Sequence, residues 1–178
     1  MSGKPILWAT VALVAVTFSA SADTSPPACP YERAHYVLQG NPDVVASFVK
    51  HGKVAQTILG DLFLHVTVKS RHWDFWYFPD TGAGYSTISL ISMEDPNQPG
   101  WQAPDPDSRR GRPYSDETYY GLNADLTFLS DSPESGVNAP ALFLIPELGQ
   151  AIWYDSRTMA SGDRYAMARA FFRLDHCE

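Results

Sequence analysis

The feature that most constrains the fold is the alternation of side chains over residues 61–69. Within this stretch every second position is aliphatic, at Leu62, Leu64, Val66 and Val68, and the positions between them are Phe63, His65 and Thr67. Side chains of a β-strand point alternately to the two faces of a sheet, whereas those of a helix repeat every 3.6 residues. The stretch therefore predicts a β-strand with one face turned towards a core.

A hairpin is indicated by residues 72–86, which read HWDFWYFPDTGAGYS. Aromatic residues dominate positions 74–78 and suit a pleated strand. Residues 79–84 have the chemistry of a turn, because proline presets φ, aspartate bonds to nearby backbone and glycine accepts positive φ. Alternation resumes over residues 85–91. The segment is predicted to be two antiparallel strands joined by that turn.

Further strands are predicted at residues 35–39, 44–49, 119–129 and 141–145. The pattern favours one mainly β, antiparallel domain, either a β-sandwich or a barrel-like fold, with an α+β fold as the alternative. A C-terminal helix is expected over residues 163–174, where apolar residues recur at helical spacing, at Met167, Ala170, Phe171 and Leu174. The rival interpretation is a final strand over residues 171–177.

An internal repeat is a further hypothesis. Residues 78–85 align with residues 145–152 through a shared P-[DE]-x-G, and an Asp-Leu pair lies upstream of each, at Asp61 and at Asp125. Two copies of a unit of about 65 residues would form two similar β-meanders. Chance is the alternative, since P-[DE]-x-G is common turn chemistry.

Residues 1–22 have the pattern of an export signal. Lys4 supplies the positive charge, an apolar run follows, and Ala20-Ser21-Ala22 is an A-x-A cleavage site before Asp23. The alternative is a membrane anchor, which needs about 20 apolar residues, more than this run has. We expect a single exported domain over residues 23–178, in the periplasm or the medium.

Two cysteines, Cys29 and Cys177, stand near the two ends of that domain. In an oxidising compartment they are expected to form a disulfide, with two free thiols as the alternative. His176 adjoins Cys177, but the cysteines and the scattered histidines lack the paired spacing of a zinc site. The sequence therefore predicts no metal site and no cofactor.

The charge of the chain limits its partners. The sequence has 13 basic and 20 acidic residues, and loss of Lys4 with the signal leaves 12 against 20, a net charge of −8. Nucleic acids and anionic membranes require basic surface, so we expect neither nucleic-acid binding nor membrane insertion after signal cleavage. A monomer that binds a protein or a glycan is expected, although an acidic surface also serves solubility alone.

Catalytic signatures are missing from the sequence. It contains no G-x-S-x-G, and paired cysteines would supply no thiol nucleophile. The acidic pair Asp116-Glu117 does not match a calcium loop and is interpreted as solvated. No catalytic residue is assigned. The alternative function is a secreted hydrolase acting on cell-wall glycan or peptide through Asp74, Asp80 and one of the histidines His35, His65 and His72.

Two segments are predicted to form a binding surface. The loop over residues 97–113 exceeds the roughly 12–15 residues that structureless loops usually have. It contains interface-type anchors, namely Trp101, Arg109, Arg110 and Arg112. The hairpin adds aromatic rings, at Trp73, Trp76, Tyr77 and Tyr85. The expected function is a non-catalytic exported binding module, of the periplasmic inhibitor or immunity type.

Overall fold

The computed structural model describes residues 28–51, 60–82, 84, 87–105 and 108–178. The expected export signal at residues 1–22 and the hairpin residue Tyr85 lie outside the described residues.

Nine strands and two short helices make up the regular structure of the described residues. The strands are β1 Ala34–Leu38, β2 Asn41–Lys50, β3 Leu62–Val68, β4 Trp73–Asp80, β5 Ile88–Met93, β6 Glu117–Leu122, β7 Phe128–Leu129, β8 Leu142–Leu144 and β9 Phe172–Cys177. The helices are α1 Leu148–Tyr154 and α2 Ser156–Ser161. The predicted strand at residues 119–129 is two strands, because a turn with Leu126 at a φ of 67° divides β6 from β7.

Eight of the strands form a closed antiparallel barrel. Their order is β5-β4-β3-β2-β1-β9-β8-β6, and pairing of β5 with β6 completes the ring. The ninth strand, β7, adds to the free part of the β6 edge. The mainly β antiparallel prediction is confirmed in its barrel form. The predicted hairpin is confirmed as the pairing of β4 with β5, from Asp80 opposite Ser89 to Trp76 opposite Met93.

Alternation along the strands fills the barrel interior with apolar side chains. The predicted inward residues of β3 are buried, from Leu62 to Val68. Aromatic rings fill much of the remaining interior: the Phe143 ring lies 4.7 Å from that of Tyr36 and 4.6 Å from that of Phe172. Burying each such side chain stabilises the fold by about 1.5–3 kcal/mol. Interior packing therefore contributes strongly to the barrel's stability.

A second apolar cluster lies on the outer face of β3, β4 and β5. We call it the outer cluster; its buried members are Phe63, Trp76, Phe78, Ile91 and Met93. The loop after β5 returns across this face and places the Trp101 ring 5.7 Å from Phe63. Parts of these strands are consequently covered on both faces, which explains their nearly continuous runs of aromatic and apolar residues.

A disulfide joins the two ends of the barrel sequence. Cys29 and Cys177 are bonded, with their Cα atoms 5.8 Å apart, as predicted. Cys177 lies opposite Ala34 in the antiparallel pairing of β1 with β9. The bond therefore fixes the seam where the first and last strands of the barrel meet.

The prediction of a helix over residues 163–174 is wrong in its position. Residues 163–171 have no regular structure, and β9 follows, as the rival interpretation stated. A short helix towards the C-terminus is confirmed, but it lies earlier in the chain, in α1 and α2. The weak local helix signal is overridden because β9 must be extended to pair with both β1 and β8.

The predicted repeat is also wrong in structure. Its second copy expects a hairpin at residues 145–152, but Pro146 and Glu147 lead directly into α1. Its upstream Asp125 belongs to the turn between β6 and β7 and accepts a hydrogen bond from the Thr127 backbone. Proline and an acidic residue suit the first turn of a helix as well as a β-turn, so the motif did not discriminate.

Neither described helix is long and apolar enough to cross a membrane.

Candidate functional site

The predicted hairpin rings are mostly buried. Tyr77 points into the barrel and is fully buried, and Trp76 is buried in the outer cluster with its ring stacked 3.9 Å from His65. Trp73 is half-buried and lies beside Tyr165 and Arg71. These rings therefore contribute to packing and do not form an exposed aromatic patch.

One part of the Trp101 loop packs against the barrel, and another part is exposed. Trp101 is half-buried and contacts His51 as well as Phe63. Arg112 pairs with Asp116, whereas Arg109 and Arg110 are exposed. Of the predicted loop anchors, the tryptophan holds the loop onto the barrel, and the two exposed arginines are accessible to a partner.

The acidic residues predicted for a hydrolase are not brought together. Asp74 accepts a hydrogen bond from His65 at 2.7 Å and another from Thr67 at 2.9 Å. Asp80 accepts one from the Gly82 backbone, as a turn residue does. Six residues along one strand separate Asp74 and Asp80 by about 20 Å. Because two glycosidase carboxyls stand roughly 5–10 Å apart, these two cannot flank one glycosidic bond.

A different group of residues lines a cleft in the described part of the molecule. The cleft has a volume of about 740 Å³ and lies between the start of β6 and one face of α1. The α1 side is formed by residues at helical spacing, Glu147, Gln150, Ala151 and Tyr154. The β6 side includes Tyr114, Asp116, Glu117 and Tyr120. We call it the acidic cleft, because four carboxylates line it: Asp116, Glu117, Glu147 and Asp155.

Glu117 is the most buried glutamate of the cleft. It is 6% exposed, and it has the same strand parity as the inward-facing Tyr119. Its carboxylate accepts a hydrogen bond from the Ser115 hydroxyl at 2.7 Å. Burial raises the pKa of Glu117, and the negative charges of Glu147 and Asp116 raise it further against the opposing effect of Ser115. The interpretation of this glutamate as a solvated loop residue is therefore wrong, since it begins a barrel strand.

The other three carboxylates of the acidic cleft each have an arginine partner. Asp116 pairs with Arg112; Arg157 Nε lies 2.8 Å from Asp155; Arg169 Nη2 lies 2.6 Å from Glu147. Among the described residues, Glu117 makes no ion pair within 4 Å. A buried carboxylate without a counter-charge is costly, because its desolvation is not offset by a cation. The cleft therefore contains one buried carboxyl group that has no counter-ion among the described residues.

Two tyrosines, Tyr77 and Tyr114, lie near this position. Tyr77 and Tyr114 have ring centroids 5.2 Å apart, and Tyr114 donates a hydrogen bond to the Trp76 carbonyl at 2.8 Å. The Tyr77 hydroxyl is buried and has no hydrogen-bond partner among the described residues. Burial raises the pKa of Tyr77, with further contributions from Tyr114 and Glu117. Both tyrosines are consequently neutral and supply no charge to Glu117.

The outer rim of the acidic cleft is aromatic. Tyr120 is 41% exposed and Tyr154 is 62% exposed, one on each side of the cleft. Phe128 on β7 is also exposed, with its ring 5.8 Å from that of Tyr120. Exposed rings next to a cleft are typical of contact surfaces. This rim is not evident in the sequence, because residues 119–129 resemble a single strand.

Searches against known protein families, curated proteins and solved structures found no match.

Proposed function

We propose that the protein is an exported, non-catalytic binding protein that takes a cationic group of a basic protein partner into the acidic cleft. The supporting observation is the contrast between Glu117, which has no cationic partner among the residues that the structure describes, and the three neighbouring carboxylates, each of which has one. A lysine or arginine of the partner would supply the missing charge. Such a partner agrees with the predicted inhibitor or immunity-type role.

Three further features support this binding mode. The net charge of −8 expected after signal removal would steer a basic partner towards the surface. The Tyr120 and Tyr154 rings flank the cleft and would contact the aliphatic part of the inserted side chain or its cationic head. The exposed Arg109 and Arg110 precede Pro113 at the cleft and would meet acidic groups of the same partner.

The test uses small probes with and without a positive charge. ¹⁵N-labelled protein of residues 23–178 is titrated with N-acetyl-lysine methylamide, N-acetyl-arginine methylamide and the neutral N-acetyl-glutamine methylamide. We expect saturable shifts of the amides of residues 114–120 and 147–155 with a cationic probe, with a dissociation constant in the millimolar range, about −4 kcal/mol. The neutral probe should cause no saturable shift.

Two variants localise the binding. Glu117→Gln removes the charge but keeps the shape, and we expect it to weaken binding of the cationic probe at least tenfold. Glu134→Gln makes the same change at an exposed position and should bind as the wild type does. Equal binding by Glu117→Gln and the wild type, or equal shifts with the neutral probe, would contradict the proposal.

A hydrolase acting on cell-wall glycan or peptide is the second candidate function, and one observation favours it. The raised pKa of the buried Glu117 carboxyl is a property of general acids. In this case Glu117 would be the acid and Asp116 or Glu147 the base, in place of Asp74 and Asp80. Release of soluble fragments from purified cell wall, abolished in Glu117→Gln, would support it, and no release by the wild type would reject it.

A further inference from the structure

A row of polar and aromatic side chains crosses the outer face of the barrel. The strand register places His176 opposite His35, His35 opposite Ser47, Ser47 opposite His65, and His65 opposite Trp76. The row therefore runs over five strands, β9-β1-β2-β3-β4. Three of the five histidines of the chain share it, although they are distant from one another in the sequence.

At the β9 end of this row, three potential metal ligands meet. The rings of His35 and His176 are nearly parallel, with centroids 4.6 Å apart, and His35 Nε2 lies 3.1 Å from Glu178 Oε1. One ligand atom from each of His35, His176 and Glu178 lies within 4.8 Å of the others. We propose that these three residues bind a divalent transition metal ion of the zinc class.

The ligand set determines the class of ion. Two imidazole nitrogens with one carboxylate oxygen are a donor set that zinc and its neighbours in the transition series accept, whereas calcium and magnesium require oxygen ligands. In a tetrahedral site with bonds of about 2.1 Å, neighbouring ligand atoms are about 3.4 Å apart. The separation of His35 Nε2 from Glu178 is already close to this value. The imidazoles converge by tilting out of their parallel stack, and the exposed His176 has room to do so.

A neighbouring carboxylate orients one of the ligands. Nδ1 of His176 donates a hydrogen bond to Asp175 Oδ2 at 3.0 Å. In the neutral imidazole this contact places the proton on Nδ1 and makes Nε2 of the same ring available to an ion. Histidine ligands commonly donate their second ring N–H to a carboxylate in this way, which fixes the tautomer and raises the basicity of the ligand. Asp175 is therefore a positioning residue of the proposed site.

The backbone holds the ligands in place. His35 and His176 are cross-strand neighbours in β1 and β9, and the Cys29–Cys177 disulfide anchors the residue between His176 and Glu178. The Glu178 amide donates to the Arg33 carbonyl at 3.0 Å, which continues the strand pairing to the third ligand. Sites built on strands are held more precisely than sites on loops. Three protein ligands leave a fourth position for water.

Calorimetric titration with zinc chloride tests the proposal. The protein of residues 23–178 carries no affinity tag, is oxidised, and is stripped with EDTA and desalted before use. We expect about one equivalent of Zn²⁺ to bind with micromolar or tighter affinity. The double variant His35→Ala/His176→Ala should lose at least 100-fold, and Asp175→Asn should lose about 10–100-fold through the positioning contact.

Two controls complete the test. His72→Asn changes an exposed histidine outside the row, where φ is 52° and asparagine is tolerated, and it should bind zinc as the wild type does. Circular dichroism shows whether each variant is folded. Histidine ring NMR signals should change for His35 and His176 on zinc addition and stay fixed for His65. Absence of zinc binding by the folded wild type, or wild-type affinity in the double variant, would overturn the proposal.

Discussion

Gly149 in α1 lies directly against the backbone of Met167. A β-carbon placed on Gly149 would be 2.6 Å from the Met167 carbonyl oxygen. Because that oxygen belongs to backbone, relief requires movement of α1 or of the segment over residues 163–171. This contact explains why a glycine stands in the helix, in spite of its low helix propensity.

We therefore expect Gly149→Ala to lower the free energy of unfolding by about 1–3 kcal/mol, as overpacking usually does. Urea denaturation followed by circular dichroism measures the change. Gly60→Ala is the matched control, since its added β-carbon would meet only the Pro133 oxygen, at 3.8 Å. Equal stabilities of the two variants would refute the close packing of α1 against this segment.

Replacing Trp101 tests whether its ring is a cover of the outer cluster. Because the ring packs on Phe63 and His51, Trp101→Ala should destabilise the fold by about 2–4 kcal/mol. Arg110→Ala, in the same loop but exposed, should stay within about 0.5 kcal/mol of the wild type. Chemical denaturation measures both variants. A Trp101→Ala protein as stable as the wild type would mean that the ring is available to a partner.

The raised pKa of Glu117 makes stability depend on pH in a defined direction. In the native protein Glu117 holds its proton more tightly than in the unfolded chain, where the ordinary value is 4.5. Its favourable contribution is complete below that value and is lost as the pH rises through the native pKa. The stability of Glu117→Gln relative to the wild type should therefore increase as the pH rises from 4 upwards.

Denaturation of both proteins at several pH values measures this difference, with Glu134→Gln as the exposed control. A difference between Glu117→Gln and the wild type that stays constant from pH 4 to pH 8, or that shrinks with rising pH, would show that the Glu117 pKa is not raised.

The disulfide is expected to contribute substantially to stability. Removing it in Cys29→Ala/Cys177→Ala should lower the free energy of unfolding by about 2–5 kcal/mol, because the bond restricts a long loop of the unfolded chain. Wild-type protein in excess reductant should reach the same stability, and the double variant should not respond to reductant. Denaturation of both proteins with and without reductant measures these free energies of unfolding. A double variant with the same free energy of unfolding as the wild type would mean that strand pairing alone holds β1 against β9.

Local periodicity was sufficient to predict most of the barrel. Alternation within a few residues predicts the inward residues of β3, and local turn chemistry predicts the turn at Gly82. Cysteine chemistry predicts the pairing of the two cysteines. The position of the helices did not follow, because residues 163–171 have helical spacing but are held against α1 by contacts that depend on the completed fold. One such contact is the hydrogen bond from Arg169 to the Pro146 carbonyl.

The candidate sites depend on contacts between distant parts of the chain, and such contacts leave no local signal in the sequence. Glu117 resembles a solvated acidic residue until α1 is placed beside β6. The nearness of His35 to His176 depends entirely on the pairing of β1 with β9. Conversely, Trp76 and Tyr77 resemble surface anchors in sequence, but closure of the barrel and the return of the Trp101 loop bury both of them.

The pairing of β1 with β9 also affects when the barrel can close during synthesis. During synthesis β1 is made early, and one of its edges stays unpaired until β9 has been made. Contacts between such distant segments carry a large loop-closure entropy and are formed slowly. For most of its synthesis the chain therefore carries an open sheet edge, to which any extended strand could add. Until β9 has been synthesised, Cys29 also lacks its native disulfide partner. A chaperone that covers this sheet edge would therefore protect the Cys29 thiol as well.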